Sequence, residues 1–433
     1  MNVSYFGWIV SAFCILNTAA YAAGPVVFDV SGQGKDHRTP VAVPAFAAVA
    51  GQESVAKMMS DVIAYDLDFS GECKILDKEG YPPSFKGYTP DATQVDCAPW
   101  KAIGVEHLVY AYITQEGSNI VAECRLFDVH TGQQVVGKKL QAGTEWARLV
   151  AHQFSDIIIE RLTGTPGIAT SRICFTNGVT GKKEICIADY DGANMKQLTQ
   201  HNSISILPKF SRDGSRLAYV SYKDHFPYLY VLEITSGKSA VVSKKSGLNV
   251  SPSWAPDGKS LAMVLSKDTN NEIYVRSLVG DEYTRLTNSK GTDTSPSFSP
   301  DGSQMAFVTD REGSEQIFVM NRDGSNQHRI SFQGGRSYDP AWSPDGKHIA
   351  YVVDKGGQQI YVSTVDGNDY QQVTRAAGNA EGPSWSPDSR HIIYANSSSL
   401  QLWTVTLSTG AEQKIPNIAV ACQGPDWARR PAQ

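Results

Sequence analysis

Residue patterns that would perform catalysis or bind a metal are scarce in this 433-residue chain. It contains no Gly-x-Ser-x-Gly nucleophile elbow, no Walker loop and no His-Glu-x-x-His zinc motif. The segments Asp189–Gly192 and Asn321–Gly324 share a carboxylate and a glycine with calcium loops, but both lack the ligand spacing and the final glutamate. Gly32–Gly34 lacks the third glycine of a dinucleotide fingerprint. We therefore predict turns and a loop at these segments, and no catalytic residue, metal or cofactor.

The second half of the chain carries a repeat, which is marked by a proline, an aromatic residue and a turn of the type Ser-Pro-Asp-Gly. The prolines lie 42–44 residues apart, at Pro208, Pro252, Pro296, Pro340, Pro383 and Pro425. A fixed period of this length indicates one supersecondary unit that packs against copies of itself.

Each repeat contains four short strands. An alternating apolar run follows the turn, as at Leu217–Val220, and a second follows about ten residues later, as at Leu229–Ile234. A last short strand such as Val241–Ser243 closes the unit, and another opens it at the proline. Four antiparallel strands at this spacing are typical of a propeller blade.

The ring can be counted from the strands. The second, third and fourth strands occur six times, starting at Arg172, whereas the opening strand occurs first at Pro208 and last at Pro425–Ala428. The first blade therefore lacks an opening strand and the C-terminus has one to spare. We predict an all-β six-bladed β-propeller over residues 164–433, closed by the C-terminal strand.

The repeated residues are interpreted as scaffold. Aromatic residues are expected to pack between blades, at Trp254, Phe298, Trp342, Trp385 and Trp427. Tight turns are expected where Asp bonds its own backbone and Gly accepts positive φ, at Asp257-Gly258, Asp301-Gly302 and Asp345-Gly346. His348 and His391 occupy equivalent positions, which indicates strand entry rather than metal ligation.

Residues 23–163 lack the repeat and predict an α/β N-terminal domain, with enough residues for a core of its own. Helical spacing of apolar residues covers Gln52–Phe69 and Glu145–Leu162, the latter with Thr144 as N-cap. Strands are predicted in the remaining apolar segments, at Pro40–Phe46, Cys73–Leu76, Glu106–Thr114, Ile120–Val129 and Gln133–Leu140.

The N-terminus predicts export. Residues 1–22 carry no charged side chain, contain the apolar run Ile9–Leu16 and end in Ala20-Tyr21-Ala22, a small-x-small pattern for cleavage after Ala22. No later segment is a candidate membrane span, so we expect a soluble exported product. The net charge of −5, without a basic patch, disfavours nucleic acid and anionic membrane surfaces as partners.

Six cysteines follow the predicted signal peptide: Cys73, Cys97, Cys124, Cys174, Cys186 and Cys422. In an oxidising compartment six thiols allow about 15 complete pairings. Cys174 and Cys186 fall on consecutive strands, so a bridge between them is one hypothesis; a bridge from Cys422 that ties the ends of the ring is another. The third is that all are buried free thiols.

Several of these features together resemble the TolB family of Tol-Pal envelope proteins. The resemblance covers the mature chain and rests on the six blades, the preceding α/β domain and the signal peptide. It also rests on three segments, VAVPAF from Val41, WKAIGVEHLVYAYI from Trp100 and IIIERLTGTPG from Ile157. The blade motif alone is shared by several propeller families, but the domain order and blade number are more specific.

The resemblance implies a non-catalytic, monomeric periplasmic protein that supports outer-membrane integrity and envelope constriction during cell division. Members of the family bind the lipoprotein Pal through one propeller face, which associates them with the outer membrane, and bind TolA through the mature N-terminal segment. That segment here comprises Ala23, Gly24, Pro25, Val26, Val27, Phe28 and Asp29. An extended apolar arm could bind by strand addition; alternatively, Val26–Phe28 form an ordinary first strand.

The propeller face can also be argued from the repeat. Connections from the fourth strand of one blade to the first of the next vary in sequence, and variable loops on a rigid scaffold usually bind partners. The family resemblance matches Leu248, Ser251 and Thr294 to residues that contribute to Pal binding, although Leu248 stands where the family can carry a histidine. Repeat equivalence adds four residues: Asn249, Ser295, Asp339 and Glu381.

Two other classes of function remain open on sequence. An exported propeller enzyme, such as a glycan lyase or a peptidase-like hydrolase, would need catalytic or metal-ligating residues in the tunnel, for which no motif is present. A purely structural propeller would have no TolA-binding arm, and deletion of residues 23–29 separates that alternative from the family function.

Overall fold

The structure, a computed structural model, describes residues 37–83, 95–178, 182–418 and 420–431. The predicted signal peptide, the arm Ala23–Asp29 and the loop Gly32–Gly34 lie outside these residues. Within the described ranges, no helix combines the length and apolar character needed to span a bilayer.

The N-terminal domain is a mixed sheet covered by helices. Its strands are β1 (Thr39–Ala42), β2 (Ala47–Ala48), β3 (Cys73–Ile75), β4 (His107–Glu116), β5 (Asn119–Asp128) and β6 (Gln134–Gly143). Its helices are α1 (Glu53–Phe69), α2 (Ala98–Ala102) and α3 (Ala147–Thr163), with short 3-10 turns at Lys78–Gly80 and Thr144–Trp146. The sheet order is β3-β1-β4-β5-β6, with β2 paired to β4. The core lies between the sheet and the apolar faces of α1 and α3.

Two local predictions in this domain were wrong. The predicted strand Pro40–Phe46 is interrupted between β1 and β2, around Pro44, which has no N–H for a sheet ladder. Thr144 does not cap α3, because a 3-10 turn occupies Thr144–Trp146 and the helix starts only at Ala147.

Residues 172–428 form six four-stranded antiparallel sheets, the blades of the propeller. Blade 1 contains Arg172–Asn177, Glu184–Asp189, Lys196–Gln197 and the C-terminal strand Cys422–Ala428. Blade 2 contains Ser205–Phe210, Arg216–Ser221, Tyr228–Glu233 and Ser239–Ser243. Blade 3 contains Asn249–Trp254, Ser260–Asp268, Asn270–Ser277 and Tyr283–Arg285. Blade 4 contains Asp293–Phe298, Gln304–Thr309, Gln316–Asn321 and His328–Arg329. Blade 5 contains Arg336–Trp342, His348–Asp354, Gln358–Thr364 and Tyr370–Gln372. Blade 6 contains Ala380–Trp385, His391–Asn396, Gln401–Thr406 and Ala411–Lys414.

The fold class and the ring closure are therefore confirmed. The C-terminal strand pairs antiparallel with Arg172–Asn177, in the register Cys422↔Asn177 and Trp427↔Ile173, and supplies the missing first strand of blade 1. The first strands of neighbouring blades contact one another around the ring.

The predicted scaffold roles are also confirmed. All five aromatic residues of the repeat are at most 9% exposed. The carboxylates of Asp257, Asp301 and Asp345 accept backbone N–H groups two residues on, at 2.7–3.0 Å. Each following glycine has positive φ. His348 and His391 each start the second strand of their blade.

No pair of the six described cysteines is joined by a disulfide; all are free. The hypothesised Cys174–Cys186 bridge fails on register, because Cys174 pairs with Ile187 and Phe175 pairs with Cys186. A shift of one residue places two side chains on opposite faces of a sheet, and these thiols belong to different core clusters. Cys422 is a free thiol as well, and the backbone pairing of its strand joins the ends of the ring. Burial raises the pKa of the Cys186 thiol to about 11 and that of Cys422 to about 12.

The N-terminal domain contacts only one face of the propeller in the described residues. This face, called the turn face, carries the Asp-Gly turns between first and second strands and the connections between third and fourth strands. Arg390, in such a turn of blade 6, lies 3.2 Å from Glu72. Arg148 on α3 pairs with Asp191 in the third-to-fourth connection of blade 1. The N-terminal domain thus sits over blades 6 and 1 on the turn face.

Candidate partner-binding face

The opposite face, called the loop face, is shaped by a bulge that every blade repeats. In each first strand the register shifts directly around the proline. The residue before the proline has φ between 50° and 58°, at Leu207, Ser251, Ser295, Asp339, Gly382 and Gly424. Four of these six are not glycine, and left-handed backbone at such residues costs on the order of 1–3 kcal/mol each. Strain of this kind clusters at binding sites, which favours a role for this ring beyond scaffold.

Residues just after the bulge line the central tunnel and join the blades. The Asp426 carboxylate accepts the Phe210 N–H at 2.8 Å, and Ser297 Oγ accepts the Trp342 N–H at 3.0 Å. In blade 2 the equivalent residue is Lys209. There the Trp254 indole N–H of the next blade donates to the Lys209 backbone carbonyl instead, at 2.9 Å. These bonds fix the tunnel radius and so hold the loop face rigid.

The tunnel encloses a cavity of about 270 Å³ with charged walls. Lys209 Nζ lies 3.2 Å from Asp426 Oδ1. Although burial opposes the charged form of Lys209, the Asp426 carboxylate raises its pKa. Burial raises the pKa of Asp339, and burial together with the Asp339 carboxylate raises that of Glu381. The loop-face end of the tunnel therefore carries two acidic groups, and the Asp339 carboxylate disfavours ionisation of Glu381.

The predicted site residues fall on this face, with different accessibility. Leu248 is 36% exposed, whereas the side chains of Ser251, Thr294, Ser295, Asp339 and Glu381 are partly buried around the tunnel mouth. Asn249 is fully buried. Its carboxamide oxygen accepts Ser243 Oγ–H at 2.7 Å and the Lys245 N–H at 2.8 Å. Asn249 therefore shapes the loop that carries Leu248 and offers no surface of its own.

Sequence reasoning singled out Leu248 but missed the other exposed apolar side chains of the loop face. Large hydrophobic residues are 36–60% exposed there, at Leu207, Phe226, Leu248, Phe332 and Leu400. Leu207 could have been found, because it is the repeat equivalent of Ser251; the others lie in loops without a repeat pattern. Apolar groups rimmed by polar residues on a rigid surface are typical of protein interfaces.

Comparison with known proteins agrees with this architecture. The family model described as the TolB beta propeller domain matches residues 159–430, and the one described as the TolB amino-terminal domain matches residues 29–135. The chain belongs to the TolB family. Its blades and its N-terminal domain are thus those that define this family.

Curated relatives and a solved structure give the same result. "Tol-Pal system protein TolB" of Desulfosudis oleivorans is 35% identical over 214 residues, 48% of each chain. The protein of the same name from Roseobacter denitrificans is 34% identical over 223 residues, 50% of this chain and 49% of that one. The chain thus spans about half the length of the curated relatives it matches. The crystal structure of TolB from Acinetobacter baumannii is 25% identical, with a TM-score of 0.80 over 90% of this chain and 96% of that one.

Proposed function

We propose that this TolB-family chain is a non-catalytic periplasmic adaptor, which binds Pal through the loop face of the propeller and TolA through the arm Ala23–Asp29. The observation that carries the proposal is the arrangement of the two faces. The N-terminal domain covers the turn face over blades 6 and 1, while the loop face presents its exposed apolar side chains around a polar tunnel mouth.

The chemistry of the loop face supports a protein partner. Interface energy is usually concentrated in a few central contacts that exclude water, with polar groups around them. Leu248 and Thr294 stand on adjacent blades next to the tunnel mouth, where such a centre would lie. Asp339 and Glu381 would then form the polar part of the contact. Ser251 and Ser295 would form its base, where the backbone of the bulge shapes the surface.

We predict that Thr294→Trp weakens Pal binding about 100-fold, which corresponds to about 2.8 kcal/mol, because the indole would occupy the space that the partner needs. Calorimetric titration of the exported chain with the soluble domain of the same organism's Pal measures this. Leu248→Glu, which places a charge in the same apolar area, should have the same direction of effect.

Val279→Trp provides the matched control. Val279 is 86% exposed on the turn face of blade 3, so the same large side chain there should leave Pal affinity within about twofold of the parent. Equal Pal binding by all variants would place the site elsewhere. A parent chain that does not bind Pal at all would contradict the adaptor function and favour the exported-enzyme alternative.

We also predict that deletion of residues 23–29 abolishes TolA binding and leaves Pal binding unchanged. The arm precedes β1 and would add its backbone to a sheet edge of the partner, which satisfies its N–H and C=O groups. Titration of the deleted chain with the soluble C-terminal domain of TolA tests this, beside a chain with residues 23–29 in scrambled order. Full TolA binding by the deleted chain would show that Val26–Phe28 are not the binding segment.

A further inference from the structure

The contact between the two domains contains a buried polar cluster that the adaptor function does not use. Asp66 on α1 and His152 on α3 come from the N-terminal domain, and Asp189 and Asp191 come from the end of the third strand of blade 1 and the turn that follows it. All four are at most 6% exposed. Buried charges of this kind need partners, or they destabilise the fold.

His152 is held on one side of its ring only. Its Nδ1 lies 2.9 Å from Asp66 Oδ2 and 3.1 Å from Oδ1, and the Tyr190 hydroxyl donates to the same carboxylate at 2.6 Å. Because a carboxylate accepts, Nδ1 donates its N–H, and in the neutral imidazole Nε2 then carries a lone pair. Nε2 is buried and has no hydrogen-bond partner among the described residues. A buried lone pair without a donor indicates a missing ligand.

Two carboxylates of the propeller lie close to the His152 ring. A ring nitrogen of His152 and carboxylate oxygens of Asp189 and Asp191 lie within 4.8 Å of one another. Arg430 pairs with Asp189 Oδ1 at 2.5 Å and Arg148 pairs with Asp191.

Each of these carboxylates accepts one further bond. The Asn194 carboxamide donates to Asp189 at 2.7 Å, and the Ala193 N–H donates to Asp191 at 3.1 Å. A carboxylate has about four acceptor sites, so both aspartates keep acceptor capacity for another ligand.

The charges of the cluster do not balance. Asp66, Asp189 and Asp191 supply three carboxylates, against the two guanidinium groups of Arg148 and Arg430. A wider count adds one group of each sign: Arg172, which interacts with Asp189, and Asp156, which interacts with Asp66. One negative charge therefore stays uncompensated while His152 is neutral.

We propose that this cluster binds one divalent transition-metal ion of the zinc type through His152 Nε2, Asp189 and Asp191. Imidazole with carboxylates suits such ions, and a carboxylate on the far ring nitrogen, here Asp66, is the usual orienting partner of a metal-bound histidine. With metal–ligand distances of about 2.1 Å, the ligand atoms of a tetrahedral site lie about 3.4 Å apart, so the side chains close by up to about 1.4 Å. Since the ligands come from both domains, the ion joins the N-terminal domain to the propeller.

Titration of the exported chain with ZnCl₂ tests the site directly, after removal of any affinity tag and treatment with a chelator. We expect one Zn²⁺ per chain, with at least 30-fold weaker binding in His152→Gln and in Asp191→Asn. Asp323→Asn is the matched control, because Asp323 occupies the same Asp-Gly turn in blade 4 and accepts the Ser325 N–H at 2.9 Å as Asp191 accepts that of Ala193. It should bind as the parent does.

Co²⁺ in place of Zn²⁺ identifies the ligands. Nitrogen and oxygen ligands give weak d–d bands without thiolate charge transfer, whereas binding by the free cysteines gives a strong thiolate band. Zn²⁺ should also raise the thermal midpoint of the parent and of Asp323→Asn, but not of Asp191→Asn. Absence of stoichiometric binding by the folded parent, a thiolate band, or undiminished binding in His152→Gln would each overturn the proposal. If the folded parent does not bind Zn²⁺ stoichiometrically, a proton or a water molecule satisfies His152 Nε2 instead. If His152→Gln does not fold, Asp191→Asn and the cobalt spectrum of the parent decide.

Discussion

A chain that ends at Ala421 should fail to form a cooperatively folded propeller. The deletion removes the whole first strand of blade 1, which pairs with Arg172–Asn177. It therefore removes Trp427 from the core and exposes Ile173 and Phe175, which pack in the same cluster, and it leaves an unpaired strand edge in the centre of the ring.

The energetic loss extends to both neighbouring blades. Trp427 is 6% exposed and donates its indole N–H to Ser171 Oγ at 2.7 Å; loss of a buried tryptophan side chain alone costs about 3–5 kcal/mol. Asp426 bonds Lys209 of blade 2 at 3.2 Å and accepts the hydroxyl of Ser384 of blade 6 at 3.0 Å. Whole domains are stable by only about 5–15 kcal/mol, so the shortened ring retains little or no net stability.

Circular dichroism and thermal unfolding measure the effect, with a chain that ends at Arg430 as control. That control keeps the strand and the Arg430–Asp189 pair, and should unfold as the full chain does. A peptide of residues 420–431 added to the shorter chain should restore a cooperative transition. A midpoint for the Ala421 chain within about 5 °C of the full chain would show that the closing strand is dispensable.

The ring was predictable because a short motif recurs along it and has the same local role in each repeat. A proline, an aromatic residue and an Asp-Gly turn determine a strand, its interblade contact and its exit, all within 15 residues of sequence. The repeat count then fixed the closure by Pro425–Ala428. In the same way, the periodicity of apolar residues located α1 and α3 to within about two residues.

Repeat equivalence was less reliable for predicting which side chains are exposed. It placed Asn249 correctly on the loop face, but could not show that its carboxamide folds inward onto Ser243 and Lys245. The strand register was harder still to predict, because the sequence could not fix the position of a turn near Thr180 to one residue. That uncertainty decided whether Cys174 and Cys186 share a face of the sheet.

The domain contact had no signal in the sequence. Asp66, His152 and Tyr190 are 38–124 residues apart in the chain, and neither Asp66 nor His152 belongs to a motif. Asp189–Gly192 was correctly interpreted as a turn, and Gly192 has the positive φ that the turn needs. Its carboxylates acquire a second role only because α3 of another domain lies against them, which local patterns do not encode.

Phe69→Ala should therefore separate the two domains, at a cost of about 3–5 kcal/mol to the docked state. Phe69 ends α1 and is 3% exposed. Its ring stacks on His391 at 4.9 Å and packs edge-on against Tyr190 at 5.0 Å, so it joins blades 6 and 1. His391 Nε2 also lies 3.0 Å from the Phe69 carbonyl oxygen. Alanine would leave a cavity beside the rings of His391 and Tyr190 and free the end of α1.

Denaturant unfolding and limited proteolysis of the connecting segment 164–167 measure this. Phe226→Ala is the matched control, since Phe226 is 60% exposed on the loop face and its loss should change stability by less than about 0.5 kcal/mol.

Gly71→Ala gives an independent test at the same contact: Gly71 has φ 73°, and an added Cβ would lie 2.7 Å from Thr406 Cγ2 of blade 6. If Phe69→Ala behaves like Phe226→Ala, the stacked rings do not hold the domains. If it speeds cleavage of the segment while the propeller core stays folded, the turn face is a separable docking surface, and the loop face stays available to partners whether or not the N-terminal domain is docked.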